Sequence, residues 1–213
     1  MRYLVVGGHA RGVGKTALVV DLIRAFPEAG WTAVKISPHG HGAWPEHAAT
    51  GEKPSAATGF VLHEDMARGG QTGGSRYLVA GARRSFWLRA REGHLAQGMA
   101  MLGRALEGAE TVILESNAVL EVLRPQLYLM VLDPSVSEFK ASARRWLGSV
   151  DAFISRGPIG EAGWRGISGQ VPGSKPVFEQ RLGERLPEGL LLLIRKRLFA
   201  AVPPPTTGTH LPG

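Results

Sequence analysis

A glycine-rich stretch near the start of the chain restricts the fold more than any other feature of this sequence. The apolar run Tyr3–Val6 is followed by a glycine-rich stretch, and that stretch ends in the triplet Gly14–Thr16. The stretch Thr16–Phe26 follows, with apolar residues at helical spacing: Leu18, Val19, Leu22 and Ile23. A strand that turns through glycines into a helix presents backbone N–H groups and the positive helix end to an anion. The pattern therefore predicts an α/β fold with a phosphate-binding loop after its first strand.

The spacing of the glycines departs by one residue from the usual phosphate-binding pattern. That pattern, G-x-x-x-x-G-K-[ST], would place its first glycine at position 9, but the chain has His9 there and the glycine stands at Gly8. We interpret the stretch as a loop one residue longer than usual. Lys15 would neutralise the β- and γ-phosphates of a nucleotide, and Thr16 would be a ligand of Mg²⁺. The residues expected to contact the nucleotide are Gly8, His9, Ala10, Arg11, Gly12, Val13, Gly14, Lys15, Thr16 and Ala17. The alternative is an ordinary strand-to-helix turn with an incidental Lys-Thr pair.

Further apolar runs rich in β-branched residues alternate with helical patterns along the chain. The predicted strands after the first are 32–37, 85–89, 111–114, 127–132, 152–154 and 176–178. The predicted helices after the first are 95–106, 137–147 and 187–200. Near-continuous apolar strands separated by helices are typical of a mainly parallel sheet covered on both faces. We therefore predict a single three-layer α/β domain over residues 1–202.

Two segments do not follow this alternation. The stretch Pro38–Gly74 is rich in glycine, histidine, proline and charge, and it is long for a connection inside a compact domain. We expect it to be a functional or mobile loop. The proline- and glycine-rich stretch 203–213 has the composition of a disordered tail.

The charge balance is basic, with a net charge of +7 and a pI near 10.2. The basic residues are scattered, and no basic stretch is interleaved with aromatic residues, so the sequence does not favour nucleic acid. An anionic ligand such as a nucleotide accounts for the balance as well. The chain has no cysteine, which excludes disulfides, thiolate metal sites and cysteine nucleophiles.

The hydropathy pattern predicts no contact with a membrane. No apolar stretch reaches the roughly 18 residues that a bilayer requires. The start of the chain lacks a basic segment before a long apolar core, and glycines interrupt it after Val6. We expect a cytoplasmic protein.

An acidic residue ends one of the predicted apolar strands. Glu115 follows the run 111–114, at the edge of the sheet where ligands of α/β folds bind. Beside a phosphate loop, such a residue completes the magnesium shell or orients the attacking group, so we predict a catalytic and Mg²⁺-binding role. The alternative is a surface glutamate at a strand end. Ser116 and Asn117 follow directly and are candidates for contacts to a second ligand.

Four histidines fall within 25 residues of each other in the irregular segment: His39, His41, His47 and His63. Imidazole nitrogens suit several transition metals, but a His-x-His pair on a glycine-rich loop has no fixed geometry. A solvated loop is the simpler interpretation. We retain His39 and His41 as candidates for contacts to a second ligand, on a loop that could act as a switch.

These motifs resemble those of known families. The loop "GHARGVGKT" is similar to that of dethiobiotin synthetases, and its "GVGKT" core to the wider class of P-loop NTPases that includes the MinD/ParA ATPases and metallochaperone GTPases. The special lysine of MinD/ParA proteins would fall at Ala10 and is missing. Over roughly residues 1–120 the chain resembles the molybdopterin-guanine-dinucleotide biosynthesis protein B family, in "GWTAVKISPHGHG", "GGSRYLVAGARRSFWL" and "TVILES". The resemblance implies the P-loop-containing nucleoside triphosphate hydrolase fold, a homodimer, and a catalytic Lys35 that faces the phosphates.

The chain also departs from that family. The family has an aspartate, a magnesium ligand, where this chain has Gly73, and Glu64 or Asp65 would have to substitute for it. The Asn-Lys-x-Asp signature of GTPases is missing, and the corresponding strand end carries Ser155 and Arg156. The sequence therefore leaves ATP and GTP both open.

Three functions agree with these observations. The first is a slow, Mg²⁺-dependent NTPase that assists the biosynthesis of a cofactor or metal centre, such as the molybdenum cofactor. The second is an ATP-dependent ligase or kinase-like enzyme of the dethiobiotin-synthetase type, with Lys35, Glu115 and the Ser116–Asn117 turn forming a small-molecule pocket. The third is a regulatory module that binds a nucleotide without hydrolysing it.

Overall fold

The computed structural model describes residues 1–39, 59–67, 69, 72–160, 164, 171 and 173–200. Eight strands form one sheet, and their bounds are β1 Arg2–Gly8, β2 Thr32–His39, β3 Phe60–Asp65, β4 Arg84–Arg91, β5 Thr111–Glu115, β6 Leu127–Leu132, β7 Ala152–Ser155 and β8 Val177–Glu179. Their order across the sheet is β3-β4-β2-β5-β1-β6-β7-β8. All neighbours are parallel except β3 and β4. The first strand therefore lies inside the sheet, between β5 and β6.

Helices cover both faces of this sheet. Their bounds are α1 Lys15–Ala25, α2 Gly73–Ala80, α3 Leu95–Ala105, α4 Ala141–Arg145 and α5 Glu188–Ile194, which continues into a π-helical turn at Arg195–Phe199. Short 3₁₀ turns occupy Pro27–Ala29, Ala118–Glu121 and Leu147–Ser149. Apolar residues of α1, α2 and α5 pack in one core cluster, and those of α3 and α4 pack in another. The predicted three-layer α/β fold with a mainly parallel sheet is confirmed.

Side-chain alternation along the strands explains why both faces are covered. In β5, Val112 and Leu114 belong to the core beneath α3 and α4, whereas Ile113 belongs to the core beneath α1 and α2. Successive residues of a strand point to opposite faces. Glu115 has the same parity as Ile113, so it lies on the α1 and α2 side at the carboxyl end of its strand.

Two expectations about secondary structure are wrong. The segment 38–74 is not a loop throughout, because its described part contains β3 and the first residues of α2. The helix predicted over 137–147 is only Ala141–Arg145. The segment before it is held extended, since the backbone N–H of Lys140 donates to the carbonyl oxygen of His9 at 2.9 Å.

The single domain over 1–202 stays a prediction, and the tail 203–213 lies outside the described residues. Among the helices that the structure describes, none combines the length and apolar character needed to cross a bilayer.

Candidate functional site

A cleft of about 830 Å³ lies at the carboxyl edge of the sheet, above the loop that joins β1 to α1. Its lining includes loop residues, the ends of β2 and β5, and one residue of α2. Among the described residues that line it, the charged ones are Arg11, Lys15, Lys35, Arg76, Lys140 and the single acid Glu115. The cleft is therefore a cationic pocket of a size usual for small-molecule sites.

The backbone of the loop requires glycine at two positions. Gly12 and Gly14 have φ angles of 75° and 89°, in the left-handed region that other residues rarely adopt. Gly14 is the N-cap of α1, and no side chain caps this helix. The N–H groups at the start of a helix have no partner within the helix. Lys15 and Thr16, the first two residues of α1, line the cleft, so the N–H groups at the start of this helix lie beside it.

His9 is a structural residue rather than a part of the cleft surface. Its side chain is fully buried and lies against the rings of Phe139 and Trp164. The backbone N–H of Asp133 donates to Nε2 at 3.0 Å, so Nδ1 carries the proton and donates to the carbonyl oxygen of Glu138 at 2.8 Å. Burial lowers the pKa of the imidazole, which favours this neutral form.

The extra residue of the motif lengthens the strand. Gly8 is still paired with Val131 in the sheet, and the N–H of His9 donates to the carbonyl oxygen of Val131 at 3.2 Å. Both of these loop residues were expected to contact the nucleotide, but their backbone N–H groups already have partners in the protein. The first N–H group of the loop without a partner among the described residues is therefore that of Ala10.

Asn117 supports the loop from the neighbouring strand. Its side-chain Nδ2 donates to the carbonyl oxygen of Gly8 at 2.9 Å, and its Oδ1 accepts from the N–H of Gly8 at 3.0 Å. The hydroxyl of Tyr128 also donates to this Oδ1, at 3.2 Å. A Cβ atom on Gly7 would lie 2.0 Å from the same oxygen. The amide that was a candidate for a second ligand is thus bonded to the phosphate loop.

Arg156 supports the loop from the other side. Its Nη2 donates to the carbonyl oxygen of Gly14 at 2.8 Å, and its Nη1 donates to Oε1 of Gln180 at 2.7 Å. Gln180 is fully buried and donates through Nε2 to Asp21 of α1 at 3.0 Å. We call the loop 8–14 with its supporting side chains His9, Asn117 and Arg156 the braced wall of the cleft.

Glu115 accepts two hydrogen bonds and forms one ion pair. The hydroxyl of Thr16 donates to its Oε2 at 2.7 Å, and the hydroxyl of Tyr77 donates to the same oxygen. The ammonium of Lys35 lies 3.6 Å from Oε1. Lys35 and Glu115 are partners in the register of β2 and β5, so their side chains emerge on the same face. Burial, followed by the charge of Glu115, raises the pKa of Tyr77 well above its ordinary value, so its hydroxyl stays a donor.

Lys15 lies within the cleft at the first position of α1. Its Nζ donates to the carbonyl oxygen of Ala10 at 3.1 Å. Burial is the largest cause that lowers the pKa of Lys15, and the charges of Lys140, Lys35 and Arg11 lower it further, against the opposing effect of Glu115. The cations of this cleft therefore repel one another.

The structure brings together most of the residues that the sequence singled out. Lys15, Thr16, Lys35, Glu115 and Ser116 all line the cleft. The side chain of His39 and all of His41 and His47 lie outside the described residues. Within the described part of the chain, no group of three or more His, Asp or Glu side chains could hold a metal ion.

The acidic residues proposed to replace the missing aspartate lie elsewhere. Glu64 receives two hydrogen bonds from Arg84, at 2.7 and 2.9 Å, which lower the pKa of the glutamate. Asp65 packs under α2 near Gly74, and His63 lies 4.0 Å from it. Neither acid lines the cleft in the described part of the chain.

Sequence reasoning missed Tyr77 and the bracing role of Arg156. Tyr77 lies on the buried face of α2, and nothing in its sequence neighbourhood shows a polar partner. Arg156 does follow an apolar strand, so its place at the carboxyl edge was the signal that could have identified it. Lys140 was also missed, and it is partly buried and lines the cleft.

No protein-family model matches the chain, and no curated protein does. Among solved structures, it is similar to the "apo" form of LpxK from Aquifex aeolicus in complex with ATP, with a TM-score of 0.45 and 16% identity over 84% of this chain and 53% of LpxK. It is also similar to FtsY from Elizabethkingia anophelis in complex with GDP, with a TM-score of 0.42 and 17% identity over 92% of this chain and 63% of FtsY. Chloroplast FtsY from Physcomitrella patens gives 0.41 and 19%, over 86% of this chain and 59% of that protein. The chain thus spans between 53% and 63% of the length of these three proteins.

Proposed function

We propose that this chain binds a nucleoside triphosphate with Mg²⁺ and hydrolyses it slowly, as an accessory protein in the assembly of a cofactor or metal centre. The observation that carries the nucleotide part is the 2.7 Å hydrogen bond from Thr16 to Glu115. It joins the end of the phosphate loop to the acidic end of a strand 99 residues away. An ordinary strand-to-helix turn requires no such partner. The accessory role follows from the family resemblance alone.

The loop has the properties that triphosphate binding requires. The uncapped start of α1 and the glycine conformations at Gly12 and Gly14 present N–H groups to the cleft. Lys15 would neutralise the phosphate charge, and an anion would relieve the repulsion between this lysine and the neighbouring cations. The chain's own part in the reaction is to position the phosphates and to stabilise their charge.

The donor set is suitable for magnesium. Mg²⁺ prefers oxygen ligands and keeps several of its waters. The hydroxyl of Thr16 would be a direct ligand, and Glu115 would hold the water shell, because its oxygens already accept from Thr16 and Tyr77 and pair with Lys35. When bound, the ion would neutralise charge on the phosphate oxygens.

A second candidate function is an ATP-dependent ligase or kinase-like enzyme that acts on a small molecule. The observation that favours it is the extent of the cleft, which continues past the phosphate loop to Lys35, Ser37 and Arg76. A protein that only bound and hydrolysed a nucleotide would not need this additional lined space. Turnover that appears only with a small carboxylate or amine would support this candidate.

The substitution Lys15→Ala tests the proposal. We expect it to weaken nucleotide binding at least a hundredfold in calorimetry with Mg²⁺, because it removes the charged contact to the phosphates. The matched control is Lys196→Ala, an exposed lysine on the π-helical turn far along the chain. It should bind as tightly as the wild type. Equal affinity of wild type and Lys15→Ala for ATP and for GTP would show that the loop does not bind phosphates.

A thermal-shift screen of ATP, GTP and their diphosphates with Mg²⁺ would identify the base. Slow turnover stimulated by a metal or a partner protein would favour the accessory role. Tight binding without any turnover would instead favour a regulatory module. The homodimer implied by the resemblance stays a prediction, which sedimentation with and without nucleotide would test.

A further inference from the structure

The cleft has more cationic groups than one magnesium-bound nucleotide needs. Five cations and one acid line it among the described residues, and the acid already accepts from Thr16 and Tyr77. A triphosphate with its magnesium ion carries about two negative charges near neutral pH, since the ion cancels two of roughly four. The remaining positive charge indicates a second anion.

Two of these cations, Lys35 of β2 and Arg76 of α2, lie in the cleft with Ser37, and we call these three residues the basic wall. The guanidinium of Arg76 is exposed and makes no hydrogen bond or ion pair with any residue that the structure describes. The ammonium of Lys35 shares Glu115 with two other donors. Both cations therefore have bonding capacity left.

The described residues around these cations leave room for a ligand. A Cβ atom on Gly73 would lie 3.4 Å from Nζ of Lys35, so the missing side chain exposes the ammonium. The first turn of α2 contains no acidic residue that could neutralise it. The hydroxyl of Ser37 accepts a hydrogen bond from Nε1 of Trp87 at 3.1 Å, so its own proton can be donated to another group.

The position of the basic wall places it next to the end of the nucleotide that reacts. Lys15 marks the β- and γ-phosphates, and Thr16 with Glu115 marks the magnesium ion beside them. Lys35 lies directly beyond Glu115, in the neighbouring strand. A ligand on the basic wall would therefore approach the γ-phosphate from the side opposite the braced wall.

We propose that Lys35, Ser37 and Arg76 bind an anionic group, a carboxylate or a phosphate, of a second small-molecule ligand while the phosphate loop holds the nucleotide. This inference rests on the proposed nucleotide site and names the chemical class of the second ligand. Arginine suits this task because its fork of N–H donors matches the oxygens of both anions.

The test uses the full chain with its phosphate loop saturated by Mg²⁺ and a non-hydrolysable ATP or GTP analogue. Inorganic phosphate is then titrated in a calorimeter, with succinate as the carboxylate probe in a parallel series. We expect one phosphate or succinate to bind per chain, and Arg76→Gln to weaken that binding about tenfold, the usual loss for one charge-assisted contact. The stronger probe identifies the chemistry of the group. The matched control is Arg104→Gln, the same charge change at an exposed residue of α3, which should alter neither affinity.

Two results would overturn the inference. One is an absence of probe binding to the nucleotide-saturated protein although the protein binds free phosphate, which would place all phosphate in the phosphate loop. The other is an equal loss of probe affinity in Arg76→Gln and Arg104→Gln, which would show that the loss comes from the change in net charge and not from a contact at Arg76. Both differ from a failure of the proposed function, in which the nucleotide analogue itself does not bind.

Discussion

The two walls of the cleft are built in opposite ways. In the braced wall, polar side chains are turned towards the protein: His9, Asn117 and Arg156 donate or accept hydrogen bonds at backbone groups of the loop or of segments packed against it. In the basic wall, Lys35 and Arg76 are turned towards the cleft, and Arg76 has no partner among the described residues. The supporting side chains of the first wall already have partners in the protein, whereas the guanidinium of Arg76 in the second has none among the described residues.

Under the two proposals, this difference assigns a different kind of ligand to each wall. A rigid loop suits a chemical group of constant shape, such as the phosphates of a nucleotide. The entropy of ordering the loop is lost during folding, so it is not lost again on binding. Exposed cations on flexible stems suit a ligand whose shape is not fixed by the fold. Specificity for a second ligand would therefore reside in the basic wall, and nucleotide affinity in the braced wall.

The same substitution at a glycine packed against each wall, Gly7 against Asn117 and Gly73 against Lys35, should give the largest contrast. In Gly7→Ala, the new Cβ would lie 2.0 Å from Oδ1 of Asn117 and 2.7 Å from the hydroxyl of Tyr128, which is buried. We expect the free energy of unfolding to fall by about 3 kcal/mol, as in other overpacked cores. In Gly73→Ala, the contact to Lys35 at 3.4 Å is ordinary, and alanine favours a helix. Its stability should change by less than about 1 kcal/mol.

Urea unfolding of the two glycine variants measures this contrast. Gly103→Ala is a suitable reference, since a Cβ there would have no neighbour within 4 Å and the residue lies inside α3. Equal stability of Gly7→Ala and Gly103→Ala would show that the braced wall is not packed as described.

His9→Asn should produce the next largest loss of stability, and the size of this loss should depend on pH. The variant loses two hydrogen bonds and the packing against Phe139 and Trp164, and we expect a loss of about 2 kcal/mol near pH 8. Burial lowers the pKa of His9 in the folded state below its unfolded value of about 6.5. Below about pH 6.5 the unfolded chain therefore binds more protons, and the wild type loses stability as the pH falls. The variant lacks this loss, so the two proteins should differ less in acid.

Urea unfolding near pH 8 and near pH 5.5 would measure the change. The control is His94→Asn at the start of α3, which retains His9 and should therefore still lose stability between pH 8 and pH 5.5. A difference between His9→Asn and wild type that grows towards acid pH would contradict the buried neutral imidazole.

Tyr77→Phe should have the smallest effect on the protein, because it removes a single hydroxyl, which lies between the two walls. Tyr77 lies on α2 beside Arg76 but donates inwards to Glu115, which also accepts from Thr16. Without this donor the carboxylate is less firmly oriented, and we expect the Mg²⁺ concentration for half-maximal nucleotide binding to rise about threefold. Tyr3→Phe is the matched control, since that hydroxyl contacts Met1 at 2.6 Å, away from the cleft. An unchanged Mg²⁺ dependence would restrict Tyr77 to a packing role.

The fold was predictable where a strand is buried on both faces, because such a strand appears in the sequence as a continuous apolar run. The strands around the phosphate loop are near-continuous apolar runs, so β1, β5 and β6 could be placed from the sequence. β3 was missed because its side chains are mostly half-buried, which weakens the apolar signal. α2 was missed because it begins with Gly73 and Gly74, poor helix formers, and its stability comes from packing of Tyr77 and Leu78.

The site was predictable only where the motif is local. Lys15 and Thr16 belong to one short pattern, and Glu115 is marked by its position at the end of an apolar strand. The partners that hold these residues come from distant parts of the chain: Tyr77 from α2 and Arg156 from the end of β7. Their contacts depend on the order of strands in the sheet, which a single sequence does not specify.

The bonds of Arg156 have a consequence for the ribosome-bound chain. The glycine-rich motif ends at Thr16, but the arginine that fixes Gly14 comes about 140 residues later in the chain. Gln180, which anchors that arginine to Asp21 of α1, is later still. A domain generally folds as a unit, so its folding waits for the residues that complete it. The loop is translated before these two residues but is completed only after them, and a nascent chain that ends before Arg156 and Gln180 would carry the motif without its full support.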